Sequence, residues 1–292
     1  MSALRFFLVL GLLLSGSVLA QPLQLVATTA SMGVIARVVA GDEAQLQVLV
    51  PADRDAHALH ARPGMIASLR RADMLLSVGA QLEEGWLPAA LDAAANPRLR
   101  VGQPAHFVAA DALHLRGTRF DPALGGHVHG QGNPHFNLSP QRMGEVATAF
   151  AERLAALRPA QAPAFRQRAS GFAEQLQGHS AQVAQRLASQ HQALAYHEEF
   201  DYFSEWLPVA LIGFVEQRPG VPPGPAHLNG LIKSHQGASG VVLMANYQPR
   251  AAAQRVAEAL GWPLRVLPLE PARAEPEAYL ALLELWAAAL AE

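Results

Sequence analysis

Short apolar runs and helix-period stretches alternate along most of this chain, and a single segment interrupts them. Leu23-Gln24-Leu25-Val26-Ala27-Thr28 alternates and then turns wholly apolar, as a buried strand does. Ser31 is placed to cap a helix carrying Ile35, Val38 and Val39, with Gly41 to end it. Leu46 to Val50 reads as a second strand stopped by Pro51, and Pro63 opens a helix with Met65, Ile66 and Leu69 on one side. Met74 to Val78 is a third strand, followed by a helix that holds Leu82, Trp86 and Leu87. Such alternation with short connections predicts a parallel sheet covered by helices on both faces.

The interruption runs from Gly117 to Pro134 and is rich in Gly, Pro and His. Beyond it, Met143, Val146, Ala147, Phe150, Leu154 and Leu157 recur at helical spacing until Pro159. A helix from Ser139 to Arg158 would span about 30 Å, the width of a small domain. A second helical stretch follows, from Pro163 to Ser189. Alternation then resumes with strands at Ala193–Tyr196, Val209–Val215, Gly240–Ala245 and Leu264–Pro268. Helices starting at Glu198, Pro225 and Arg250 and a C-terminal helix lie between and after them. The expected fold is α/β: two parallel-sheet lobes, residues 21–138 and 163–292, joined by one long helix over 139–162.

Composition narrows the function. With 292 residues, 51% of them hydrophobic and 16% charged, the chain can bury a large core and is not disordered. A net charge of −2, a single lysine at Lys233 and no basic run argue against nucleic acid as a partner. The absence of cysteine removes disulfides, thiolate zinc sites, Fe–S clusters and cysteine nucleophiles. Twelve histidines remain as the strong nitrogen ligands for a transition metal. Arg5, the apolar run Phe6 to Leu14 and Val18-Leu19-Ala20 form the three regions of a signal peptide, residues 1–20, cleaved near Ala20–Gln21. That apolar run is too short to span a bilayer. With no cysteine to accept a lipid, the mature protein is expected to be soluble outside the cytoplasmic membrane.

Three histidines stand where strands meet loops: His57 after the strand ending at Val50, His135 in Asn133-Pro134-His135, and His197 at the end of Leu194-Ala195-Tyr196. Ligands of open α/β sheets bind outside the carboxyl ends of the strands, so all three are candidates to line one cleft. Three neutral imidazoles suit Zn²⁺ and leave a fourth position for a carboxylate or water. Their spacing is not a local metal motif, and each alone also reads as an ordinary structural or exposed histidine.

Several longer motifs resemble the zinc/manganese substrate-binding proteins of ABC importers, the ZnuA/TroA-like group. Gln24-Leu25-Val26-Ala27-Thr28-Thr29 with Gly41-Asp42, then Val48-Leu49-Val50-Pro51, is similar to the opening of that group. His57 through Arg62-Pro63 resembles its first-ligand loop, and Ala72-Asp73-Met74, Val78-Gly79 and Leu82-Glu83-Glu84-Gly85-Trp86-Leu87 its next strand and helix. Asn133-Pro134-His135 resembles a second-ligand motif usually written Asp-Pro-His. Tyr196-His197 with Phe200 and Tyr202-Phe203 resembles the third, and Arg218-Pro219-Gly220-Val221-Pro222-Pro223 with His227-Leu228 a proline-rich segment of one branch. The resemblance covers nearly all of residues 23–285. It implies a periplasmic monomer that holds a divalent metal between its lobes on His57, His135 and His197. The metal would be Zn²⁺ ahead of Mn²⁺, delivered to the membrane permease of an ABC importer. A periplasmic metallochaperone is a further candidate partner.

The sequence departs from that group at the fourth ligand. Where many members place an aspartate after the last strand, this chain reads Val266-Leu267-Pro268-Leu269-Glu270, and proline cannot bind a metal. Glu216 is the preferred substitute, with Glu270, His60 and water as the other candidates. Glu216 also reads as an exposed loop carboxylate. His127 and His129, in Gly125-Gly126-His127-Val128-His129-Gly130, read either as a metal-recruiting loop or as a surface loop that happens to carry histidines. His106, His114, His179, His191 and His235 have no supporting context and are expected to be structural or solvated.

No nucleophile elbow, phosphate-binding loop or His-Glu-x-x-His helix is present. An enzyme is therefore not expected. The alternative is a secreted zinc hydrolase with three histidines and a bound water, for which Glu198 or Glu199 would serve as general base.

Overall fold

A computed structural model describes residues 22–117, 129–187 and 191–291. The signal-peptide assignment at 1–20 and His127 lie outside them.

The first lobe is built from strands β1 (Leu23–Ala27), β2 (Ala44–Val48), β3 (Met74–Ser77) and β4 (His106–Val108), with helices α1 (Ala30–Ala40), α2 (Pro63–Arg71) and α3 (Leu87–Ala94). The connecting helices are α4 (Pro140–Leu157) and α5 (Ala162–Gln185). The second lobe contains β5 (His191–Ala195), β6 (Val209–Phe214), β7 (Val241–Ala245) and β8 (Leu264–Leu267), with α6 (Pro225–His235), α7 (Arg250–Leu260) and α8 (Pro276–Ala291). Both sheets are wholly parallel and share one strand order, β2-β1-β3-β4 and β6-β5-β7-β8. Each chain path therefore turns outward from its first strand in both directions, which opens a crevice at the carboxyl ends of β1 and β3 and of β5 and β7. Among the described residues no helix is long and apolar enough to cross a membrane.

Periodicity explains most elements and misses some details. Thr29, not Ser31, caps α1: its hydroxyl accepts from Met32 N at 3.4 Å. Ser31 N donates instead to Glu270 of the second lobe at 2.6 Å. Helix α3 begins only at Leu87 because Ala80 and Gln81 take positive φ and turn the chain before Leu82. The helix expected from Glu198 is a tighter 3-10 turn, Glu198–Glu205. Strand β4 has three residues, too few to register as a pattern.

The long connection is an antiparallel pair. Pro159 stops α4, and α5 returns along it, with Arg166 Nε donating to Glu152 Oε1 at 2.7 Å across the pair. At 24 residues α5 is about 36 Å long, and it packs on α1 of the first lobe and α8 of the second. One apolar cluster runs through both lobes, from Leu25, Met32 and Ile35 through Phe150, Phe165 and Phe172 to Leu243, Leu283 and Trp286. The lobes also meet directly at Gly33, where a Cβ would lie 2.7 Å from Ala274 Cβ; only glycine permits that approach. Smaller apolar clusters under α2 and α3, and under α6 and α7, cover the outer faces of the sheets.

Candidate metal centre

Four imidazoles meet at the mouth of the interlobe cleft. His57 lies in the loop after β2, which Trp86 anchors by donating its Nε1–H to Ala56 O at 2.8 Å. Asp55 Oδ1 accepts from His57 N at 2.9 Å and stands 2.7 Å from His57 Nδ1. With Nδ1–H donated to the carboxylate, Nε2 is left with its lone pair toward the cleft. Burial raises the Asp55 pKa, but its hydrogen bonds to the His57 side chain and backbone help to outweigh this and leave it lowered.

The same device recurs at His135. Asn133 Oδ1 accepts from His135 N at 3.0 Å and lies 2.8 Å from His135 Nδ1, while Asn133 Nδ2 donates to Glu198 O at 2.9 Å. In both cases the orienting oxygen belongs to the residue two positions before the histidine, Asp55-Ala56-His57 and Asn133-Pro134-His135. His135 Nε2 is buried and has no hydrogen-bond partner among the described residues. Burial, reinforced by the neighbouring imidazoles, holds the His135 pKa well below the usual histidine value. Its ring is therefore neutral and able to donate a lone pair.

His197 lies two residues past the end of β5, at the crevice of the second sheet, and bonds through Nδ1 to Glu216 Oε1. Glu216 sits just past β6, where Glu216 N donates to Tyr196 O at 3.1 Å and Glu216 Oε2 accepts from Gly220 N at 3.3 Å. Burial disfavours charge on His197, but the charge of Glu199, the bond and charge of Glu216 and the charge of Glu198 together raise its pKa to about 9. Without metal this imidazole carries a proton at neutral pH.

His129 comes from the Gly-rich interruption and is only 2% exposed. Its Nε2 lies 3.0 Å from His57 Nε2. Ligand atoms of His57, His129 and His135 all fall within 4.8 Å of one another. The His135 ring is 5.6 Å from that of His197 and 5.3 Å from that of His57, centroid to centroid. A tetrahedral zinc with ligands at about 2.0 Å needs nitrogens about 3.3 Å apart; the ligand atoms of His57, His129 and His135 approach this spacing, while His197 is beside them with its ring 6.5 Å from that of His57.

The remaining candidates fall elsewhere. Glu216 turns its carboxylate to the back of His197, and His60 is exposed on the loop. Glu270 caps α1 through Ser31 N and accepts from Asn137 Nδ2 at 3.2 Å. His129 is gathered among the rings rather than displayed on the surface. His106 bonds Ser77, His179 pairs with Glu284, and His227 donates to Phe214 O. Beside the imidazoles opens a cavity of about 190 Å³, lined by Asp55, His197, Glu199, Glu216 and Tyr247 among others. Glu199 Oε2 is buried there without a partner among the described residues, and burial raises the Glu199 pKa to about 7. Sequence reasoning did not single out Asp55 and Asn133 as orienting groups; the repeated acceptor-x-His spacing was the available signal.

Comparison with known proteins bears on the family and the fold. The ZnuA family model, described as zinc-uptake complex component A, periplasmic, matches residues 25–292. The high-affinity zinc uptake system protein ZnuA of Yersinia pestis is 24% identical over 241 residues, covering 75% of each chain. A crystal structure of ZnuA superposes with a TM-score of 0.73 at 20% identity, covering 92% of this chain and 99% of the other. The manganese complex of FpvC from Pseudomonas aeruginosa also gives 0.73 at 20% identity, over 92% and 98%. The laminin-binding protein Lmb of Streptococcus agalactiae gives 0.71 at 19% identity, over 91% and 98%. Since the family model spans both lobes and every imidazole of the cluster, the chain belongs to the ZnuA family of periplasmic metal-binding components of zinc-uptake systems.

Proposed function

We propose that this protein captures a divalent transition metal in the periplasm, zinc first, and hands it to the membrane permease of an ABC importer. The observation that carries the reading is the convergence of four buried or half-buried imidazoles, two of them with Nε2 atoms 3.0 Å apart. His57, His135 and His197 are the protein ligands in this reading, and His129 completes the shell. Asp55, Asn133 and Glu216 act behind them, each holding an Nδ1 so that the opposite nitrogen faces the metal. An all-imidazole shell favours zinc over manganese, which prefers oxygen ligands. The name of the Yersinia relative supports zinc, whereas the FpvC complexes with Mn²⁺ and Ni²⁺ support a wider range in the same fold.

A hydrolase needs a coordination position held by water. With His129 in that position, the shell is closed, which supports a carrier over an enzyme. Export through residues 1–20 brings the chain to the periplasm as a monomer, where a metallochaperone is a candidate donor.

Elemental analysis of protein purified without chelator, with competition between Zn²⁺ and Mn²⁺, tests the reading. One zinc per chain, retained against excess manganese, is expected. A His57/His135/His197 triple alanine variant that still holds one zinc tightly would place the site elsewhere.

A further inference from the structure

Arg116 and Asn133, which flank His129 in the sequence, are both fastened to the turn that follows His197. Asn133 N donates to Arg116 O at 2.8 Å and closes the stem. Tyr202, in the 3-10 turn that follows His197, bridges it: the phenol donates to Asn133 O at 2.7 Å and accepts from Arg116 N at 3.2 Å. Arg116 Nε donates to the buried Asp201 Oδ2 at 2.6 Å. Arg142 of α4 stands over the Tyr202 ring, 5.0 Å from its centroid, and its Nη2 donates to Glu205 Oε1 at 2.7 Å. Gly132 has φ +111°, and a Cβ there would meet Arg116 O at 3.0 Å and Leu115 Cβ at 2.8 Å, so the stem closes this tightly only with glycine.

These contacts do more than pin a surface turn. Asn133 is held by Tyr202 and Glu198 through its own O and Nδ2, and its Oδ1 orients His135. The turn that supplies Asp201 and Tyr202 begins immediately after His197. One small cluster thus sets the position of the His129 segment, the ring of His135 and the chain beyond His197. A ligand on an untethered loop would lose conformational entropy each time metal bound. Where the stem residues Arg116 and Asn133 are already held, that part of the cost has been met on folding.

We propose that Arg116, Asp201 and Tyr202 form a positioning clasp that presents His129 to the metal as an aimed fourth ligand. The proposal rests on the four-imidazole reading of the site. Its test is a double-mutant cycle in the full mature chain, with zinc affinity read by chelator competition and apo stability by thermal unfolding. Tyr202→Phe keeps the buried ring and removes both stem bonds. It is expected to weaken zinc binding about tenfold, or ~1.4 kcal/mol, and to add less than twofold in a His129→Ala background. The change in apo Tm should be the same in both backgrounds. An equal loss of affinity in both backgrounds, or none in Tyr202→Phe alone, overturns the clasp. Arg116→Gln carries the same test if the tyrosine variant does not fold. If the triple alanine variant loses zinc but His129→Ala is silent, the clasp falls while the metal site stands; zinc retained by the triple variant strikes the site itself.

Discussion

The Nε2 atoms of His57 and His129 face each other at 3.0 Å, although the residues come from separate loops of the chain. Two imidazole lone pairs cannot sit this close unless a proton or a cation lies between them. Asp55 occupies the other nitrogen of His57, so in the metal-free protein the bridging proton belongs to His129. In the proposed reading, this proton stands where the metal would bind.

His129→Ala should therefore weaken zinc binding by 10- to 100-fold, and alanine at His57, His135 or His197 by more, because each of those also has an orienting partner. His179→Ala, at a surface pair with Glu284, should leave the dissociation constant unchanged. Chelator competition across the five variants ranks them; a His129 variant indistinguishable from His179→Ala would remove it from the shell.

His197 gives the site its pH dependence. A pKa raised to about 9 means that metal must displace a proton at neutral pH, so zinc binding should strengthen as pH rises toward 9 and level off above it. Calorimetry at pH 7.5 in buffers of different ionisation enthalpy should report release of about one proton or more. In the apo protein the sign is the reverse. The charged ring stabilises the fold fully below the ordinary histidine pKa of about 6.5, and that contribution is lost as pH rises through 9. Glu216→Gln should reduce this loss and weaken zinc about tenfold by releasing the ring it orients.

Glu270 should behave as a structural acid. Burial lifts its pKa to about 7 against the opposing bonds from Ser31 and Thr29, with Glu83 adding to the rise. The folded state thus holds a proton that the unfolded chain releases near 4.5, and stability should fall between those values, by at most about 1.4 kcal/mol per pH unit. Glu270→Gln is expected to flatten that slope in thermal melts and to leave zinc affinity unchanged. A weakened zinc site in that variant would return Glu270 to the ligand set.

Zinc should produce no large domain closure. The apolar cluster is continuous from Leu25 to Trp286, and α5 packs on both lobes, so opening a hinge would expose core side chains at about 25 cal/mol per Å². Scattering curves of apo and zinc-loaded protein should superimpose; a clear fall in radius of gyration on adding zinc would contradict the rigid connection.

Local pattern was enough to read the two α/β lobes and to place three histidines at strand-to-loop junctions, because strand runs, helix periods and strand ends are properties of neighbours in sequence; the single helix expected over 139–162 is instead two, Pro140–Leu157 and Ala162–Gln185, that pack antiparallel. Asp55 and Asn133 were also within reach, each two residues before the ring it orients. The placement of His129 was not. A glycine-rich loop has no periodicity, and its course is decided by Arg116, Asp201 and Tyr202, whose partners lie more than 60 residues away. The roles of Glu216 and Glu270 were equally hidden. Both are carboxylates at strand ends, and only the packed structure turns one toward the back of His197 and the other onto the amino end of α1. Side-chain direction at such positions depends on which donor the tertiary fold brings nearest, and a buried carboxylate must take the donor it is given.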